Sequence, residues 1–391
     1  MRGHGGDTDT DTDLVSAATA TAPPTGRSPH SPWGLADTLD AVHDLLTSTC
    51  AALGKQWVSL VRSDRDGVMG ADDLPAWMAR LLRAGGKLIR PTMCHWGYVA
   101  AGADDRSPGL PHMVTAGAAL ETLHLFGLIH DDIMDESETR RGRPTPHAHA
   151  SAAHRAVGGR GSSATFGVNM AILLGDLAHH HADRLAAELP ELMRRQWFDV
   201  SVELIAGQRE DLTAAAVGCA DLQRAGRIAT LKSGAYTIER PLDLGASAAA
   251  VGRDLTDEVR GALAGYGRHI GSAFALRDDI LGVWGDPDTT GKPSGDDLLH
   301  RKPTQLWIRA EQTLTGPARA ALDRVGTPEA ADGDVWLLQT ALDDCGVRSW
   351  AELTIGDHVN AALTYLSTPA LAPQGAKGLT DMAATIAWRQ A

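Results

Sequence analysis

Residues 114–135 read VTAGAALETLHLFGLIHDDIMD, a segment apolar around nearly its whole circumference that closes on three carboxylates. A helix without a polar side has no face to give to water, so other elements must wrap it. Its acids, Asp131, Asp132 and Asp135, then stand at the C-terminal end of a buried helix, where the helix dipole disfavours negative charge. Asp131 and Asp135 are four residues apart and share one helix face. Two such charges about 4 Å apart repel by about 4 kcal/mol at an effective dielectric of about 20. Solvent or bound cations must offset that repulsion. Taken alone, the DDxxD pattern suits a solvated helix end as well as a magnesium site.

The rest of the chain is also helical in pattern. Apolar residues recur three and four apart in LADTLDAVHDLLTSTCAAL, LPAWMARLLRAG, DVSVELIAGQREDL and EVRGALAGYGRHIGSAFALRDDILGVWG. Alternating strand patterns are scarce, and breaker-rich stretches at 102–111, 157–163, 285–297 and 368–378 divide the helices. An all-α fold is expected, one large helical domain over residues 34–391. Residues 1–33, rich in Asp, Thr, Ala, Pro and Gly, bury too little to offset ordering entropy and are expected to form a disordered tail.

Charge and cysteine usage narrow the function. A net charge of −13 argues against general nucleic-acid binding, which needs basic surface, but leaves room for a small anionic substrate held by local cations. The four cysteines are too far apart for a CxxC zinc or redox pattern. Reduced thiols and a cytoplasmic location are expected. The N-terminus lacks the basic and apolar regions of a signal peptide, and no transmembrane segment is expected.

The residues after Asp135 favour a metal site. Arg140, Arg141 and Arg143 come within eight residues, around Gly142 and before Pro144. Metal-holding acids beside a fixed arginine loop make a site for a polyanion. A second acidic pair, Asp278 and Asp279, ends another apolar helix, and a loop with Lys292 and then Lys302 comes after it. Two such ends facing one another would grip a metal–diphosphate cluster from both sides.

With these blocks in view, the sequence resembles the trans-isoprenyl diphosphate synthases, or polyprenyl synthetases. GGKLIRP (85–91), HDDIMD with RRGRP, GD (175–176), GQRED (207–211), LKSGAYT (231–237), FALRDDILGVWGD (274–286) and GKPSGDDLLHRKPT stand in the family's order. The resemblance implies an all-α bundle around a central cavity, a homodimer, and Mg2+ as cofactor, three ions per site, with Mn2+ able to substitute. It implies that Asp131 and Asp135 bind two of the ions, with Asp132 in support, and that Asp278 binds the third, with Asp279 beside it. Arg140, Lys232 and Lys292 would hold the allylic diphosphate, with Lys302 close by. Lys87, Arg90, His124 and Arg141 would hold isopentenyl diphosphate. Gln208, Asp211 and the Ser233 hydroxyl would line the cavity. The chemistry implied is ionisation of an allylic diphosphate, attack by the isopentenyl double bond and loss of a proton.

The chain departs from the family pattern at four places. Leu88 replaces a basic residue, Ala275 a glutamine, Ser233 a threonine, and Gly282 the third acid of the second motif. Asp286 would reach the site only through water or loop movement. Phe126 and Gly127, five and four residues before Asp131, lie about 6–8 Å down the helix. In the family that pair resembles geranylgeranyl synthases, so a twenty-carbon product is expected, unless Phe126 is simply core. Farnesyl or longer-chain synthesis, terpene cyclisation on the same fold, and a non-catalytic partner subunit are the alternatives. His179, His180 and His181 point about 100° apart on a helix, cannot converge on one ion, and are expected on a solvated face.

Overall fold

Polar caps and breakers divide the chain into helices largely where the periodicity predicts them. The computed structural model describes residues 33–61, 67–69, 73–140, 142–218, 221–287 and 294–390. In order, the helices are α1 (Leu35–Leu60), α2 (Leu74–Arg83), α3 (Ile89–Ala100), α4 (Leu110–Met134), α5 (Pro146–Ala156), α6 (Ser163–Ala187), α7 (Glu191–Val217) and α8 (Leu222–Ala229). A π-helical segment, Thr230–Glu239, joins α8 to α9 (Arg240–Ala249), and α10 (Asp257–Trp284) comes next. A short α11 (Asp296–Leu299) leads to α12 (Gln305–Thr313), α13 (Gly316–Arg324), α14 (Asp334–Asp344), α15 (Val347–Tyr365) and α16 (Pro373–Ala387). Among the described residues the strands are β1 (Thr139–Arg140) and β2 (Arg143–Pro144), an antiparallel pair in the register Thr139↔Pro144. The fold is all-α. Of the expected tail, 1–32 lies outside the described residues, and the Trp33 indole donates to Thr38 Oγ1 at 2.7 Å.

α4 is the central helix, as its lack of a polar face requires. It packs on α1, α3, α6 and α9, and Leu120 and Leu123 are fully buried. Each such side chain contributes about 1.5–3 kcal/mol by leaving water. Among the described residues α4 alone is long and apolar enough to cross a membrane, yet 61% of its most apolar window is buried inside the fold. α10 is capped by Thr256, whose side chain accepts from the Val259 amide, and it packs on α15 and the π-helical segment. At that second contact the backbones meet. A Cβ on Gly234 would stand 2.6 Å from the Gly271 carbonyl oxygen, so only glycine allows the approach. Cys50 and Cys94 are buried, which pushes their thiols up to about 11 and about 12, and Cys345 is exposed.

Candidate active site

α4, α7, the π-helical segment and α10 enclose a cavity of about 1120 Å³. The residues singled out in sequence converge on it. Lys87, Arg90, His124, Phe126, Gly127, Asp131, Asp135 and Arg140 line it from the first half of the chain. Gln208, Asp211, Lys232, Ser233, Asp278, Asp279 and Lys302 line it from the second. Arg141 and Lys292 lie outside the described residues. Asp132 does not line the cavity. It is 2% exposed and accepts from Arg140 Nε at 2.8 Å and Nη2 at 2.6 Å, so it anchors the arginine that does.

Every acid of the first cluster is matched to a basic group. Lys232 Nζ donates to Asp211 Oδ2 at 2.7 Å and stands 3.9 Å from Asp131 Oδ1. Lys302 Nζ lies 3.2 Å from Asp135 Oδ2 and 3.5 Å from Asp297 Oδ1, bridging the two sides of the cavity. Burial opposes the charge of both lysines, but the surrounding carboxylates outweigh it and push their pKa values up. Burial likewise pushes the Asp131 carboxyl up, against the pull of Lys232. The second cluster is less compensated. Burial and the charges of Asp297, Asp278 and Asp211 hold Asp279 well above the usual carboxylate range, and its Oδ2 is buried without a hydrogen-bond partner. Asp278 pairs with Arg389, whose guanidinium also sits 4.0 Å over the Phe274 ring.

The remaining basic residues ring one side of the cavity. Lys87 is exposed, whereas Arg90 is buried, with Nη2 donating to Thr237 Oγ1 at 2.9 Å and the guanidinium 4.2 Å over Tyr236. Arg90 Nε is buried without a partner, a donor available to an anion. Leu88, beside it, caps α3 in the left-handed region at φ 49° and supplies no charge. Further down α4, Phe126 stacks on His179 with ring centroids 4.6 Å apart and meets His130 edge-on at 4.7 Å. The solvated-face expectation therefore fails for two of the three histidines. His179 faces the cavity, and His181 is buried against Thr49 Oγ1 at 3.1 Å; only His180 is exposed.

Comparison with known proteins agrees with this geometry. The family model for polyprenyl synthetase matches residues 72–336. The chain belongs to the polyprenyl synthetase family. It is a prenyl diphosphate synthase, an enzyme that transfers prenyl groups. It is 34% identical over 315 residues to a (2E,6E)-farnesyl diphosphate synthase of Mycobacterium tuberculosis, covering 78% of this chain and 80% of that one. A geranylgeranyl diphosphate synthase of the same organism is 32% identical over 362 residues, covering 86% and 95%. The solved geranylgeranyl pyrophosphate synthase of Corynebacterium glutamicum, complexed with isoprenyl diphosphate and magnesium, matches with a TM-score of 0.81 and 32% identity, over 91% of this chain and all of that one.

The donor set of this polyprenyl synthetase fits magnesium. Among the described residues no three acids, histidines or cysteines alone enclose an ion. Magnesium does not need such a cage, since it takes one or two carboxylates and fills its other positions with water and phosphate. Asp131 and Asp135 on one wall and the unpartnered Oδ2 of Asp279 on the other are donors of that kind.

Asp297, Tyr236 and Arg389 are among the cavity residues of the synthetase that were not singled out in sequence. Asp297 lies inside GKPSGDDLLHRKPT, where the sequence marks only Lys292 and Lys302, and Tyr236 lies inside LKSGAYT. Arg389 comes after α16 in no motif, and nothing in its surroundings along the chain marks it. It is delivered by folding. Arg277 donates to the Ala387 carbonyl at 2.6 Å and pins the end of α16 beside Asp278.

Proposed function

We propose that this synthase condenses isopentenyl diphosphate with dimethylallyl, geranyl and farnesyl diphosphates and releases geranylgeranyl diphosphate. The observation that carries the reading is the convergence of two carboxylate pairs, from α4 and α10, with Lys232, Lys302 and Arg140 on one cavity. Asp131, Asp135 and Asp278 are the residues that would hold Mg2+, which when bound neutralises charge building on the leaving diphosphate. Lys232, Lys302 and Arg140 stand ready to bind the allylic diphosphate and stabilise that same charge. Lys87, Arg90 and His124 would orient isopentenyl diphosphate, with the Arg90 Nε as a donor already stripped of water. The apolar walls, Phe274 and Ala275 among them, keep water from the allylic cation. Its bond to the isopentenyl double bond forms, and a proton is lost to the departed diphosphate.

The stacked rings of Phe126 and His179 support a twenty-carbon limit, because both line the cavity and Phe126 stands about 7 Å down α4 from Asp131. A homodimer is part of the same reading. Phe198, Val202, Ile205 and Leu212 form an exposed apolar stripe at helical spacing on α7, and Ile172 and Leu173 of α6 are exposed as well. Ile205 and Leu212 also border the cavity, so a second copy seated there would close its wall. The test is to incubate the purified protein with magnesium, isopentenyl diphosphate and each allylic diphosphate and to identify the products. Geranylgeranyl diphosphate is expected. No elongation from any primer overturns the reading, and a dominant product of another length overturns the assignment of the floor.

A further inference from the structure

Outside the cavity, two histidines from different helices meet ring to ring. His269 on α10 and His358 on α15 place their Nδ1 atoms 3.2 Å apart, with ring centroids 5.5 Å apart and planes tilted by 46°. His269 stands nine residues before Asp278, about 180° around α10, so the pair lies on the side of that helix away from the cavity acids. Both rings are half-buried. Tyr365, two turns beyond His358, flanks them, its ring 5.9 Å from that of His269. It lies against α10 because residue 265 is glycine: a Cβ there would stand 2.3 Å from the Tyr365 ring.

Among the described residues neither imidazole has another hydrogen-bond partner. A hydrogen bond between the two Nδ1 atoms obliges one ring to carry its proton there. The separation also fits a shared ion, since two nitrogens bound at about 2.0–2.1 Å to a tetrahedral zinc stand about 3.3 Å apart. Burial, and then the charge of His269, lower the His358 pKa, so this ring is neutral at neutral pH, the form in which imidazole takes a metal. Asp357 acts on it in the opposite sense, and its negative charge favours a cation at the same point. We infer that His269 and His358 form a zinc site that ties α10 to α15. Each Nδ1 gives its lone pair to the ion, the ring that carried a proton there moves it to Nε2, and no proton leaves the pair. Among the described residues no third acid, histidine or cysteine completes the group, so water fills the remaining positions and the ion exchanges with solvent. The link joins the same two helices as the Arg277–Glu352 ion pair, about two turns nearer the start of α10.

The test titrates the full chain with Zn2+ in excess Mg2+, which occupies oxygen sites, and follows binding by calorimetry and the melting temperature. The wild type is expected to bind zinc and to melt higher in its presence, because the ion binds the folded chain. H269Q and H358Q should each lower the affinity by more than the roughly 10–100-fold lost when a group merely supporting a ligand is removed. Zinc should no longer raise their melting temperatures, whatever their stability without it. H180Q, which alters an exposed histidine on α6, should leave both readings unchanged. Binding should weaken as pH falls through the imidazole range, where protons compete for the rings. Cu2+ in place of zinc reads the site in the wild type alone, because electron paramagnetic resonance detects nitrogen donors. An oxygen-only copper spectrum, no zinc binding by the wild type, or zinc-induced stabilisation of H269Q equal to that of the wild type overturns the inference and leaves the pair a hydrogen bond.

Discussion

Lys302→Met is the change whose consequences derive most directly from the geometry. Its ammonium group lies 3.2 Å from Asp135 and 3.5 Å from Asp297, and its side chain is 24% exposed. At an effective dielectric of about 20, each contact is worth about 5 kcal/mol before the cost of removing the ammonium from water. That cost reduces the net, and removing one partner of a buried pair leaves a loss of about 3–5 kcal/mol. The compact unit Pro32–Ala391 has an unfolding entropy of roughly 0.75 kcal/mol/K at about 2.1 cal/mol/K per residue. The melting temperature of Lys302→Met should therefore fall by about 4–7 °C in a chelator. Magnesium should restore part of this fall, because the freed carboxylates then have another cation. The Lys302 pKa is pushed up, so its contribution is fully present below the unfolded value of about 10.4. The difference between variant and wild type should thus stay constant across neutral pH. Scanning calorimetry decides it: an unchanged melting temperature in chelator would mean that Lys302 does not neutralise the acids.

Three further outcomes are expected. Phe126→Ala opens the floor and should shift the main product beyond geranylgeranyl diphosphate, with loss of about 0.5–1.5 kcal/mol of ring stacking on His179; chromatography showing an unchanged product length would remove Phe126 from the floor. His95 and His181 are buried, which lowers both pKa values to about 4, below the unfolded value of about 6.5. Their stabilisation is present above about pH 6.5 and is lost as pH falls toward 4, about 1.4 kcal/mol each by about pH 5.5. In denaturant titrations, His95→Gln should be about that much less sensitive than wild type to the step from neutral to that pH, and an equal sensitivity would mean His95 is not held neutral. Ile205→Glu puts a charge in the α7 stripe and should give a monomer by analytical ultracentrifugation, while a wild-type protein that is itself monomeric would rule out the dimer face.

How much was legible in the sequence depended on which question periodicity can answer. It fixes direction around a helix, and so α4 was readable as a wrapped helix and Asp131 and Asp135 as acids on one face. The same 100° step, applied to Asp132, turns it away from that face, and it indeed anchors Arg140 from behind. Applied to the histidine run, the step rules out a shared ion, but it equally rules out a shared solvated face. Residues pointing three ways meet three environments, which here are the cavity, solvent and the core against α1. Periodicity says nothing about partners distant in the chain. Arg389 reaches Asp278 across 111 residues because α16 ends where Arg277 holds it, and no local pattern encodes that. The departures from the family pattern divide along the same line. Gly282 reads as a lost acid along the chain, whereas in three dimensions its position is filled by Asp297. Ala275 is different in kind: it is 3% exposed in the cavity wall beside Phe274. Gln208 lines the same cavity from α7 with a buried, unpartnered Oε1, but it belongs to the family block GQRED and so does not replace the missing amide. At 282 a carboxylate, that of Asp297, still occupies the space beside the helix, but at 275 a methyl group stands where the family pattern has an amide, so Ala275 is where this enzyme's chemistry should differ most from its relatives.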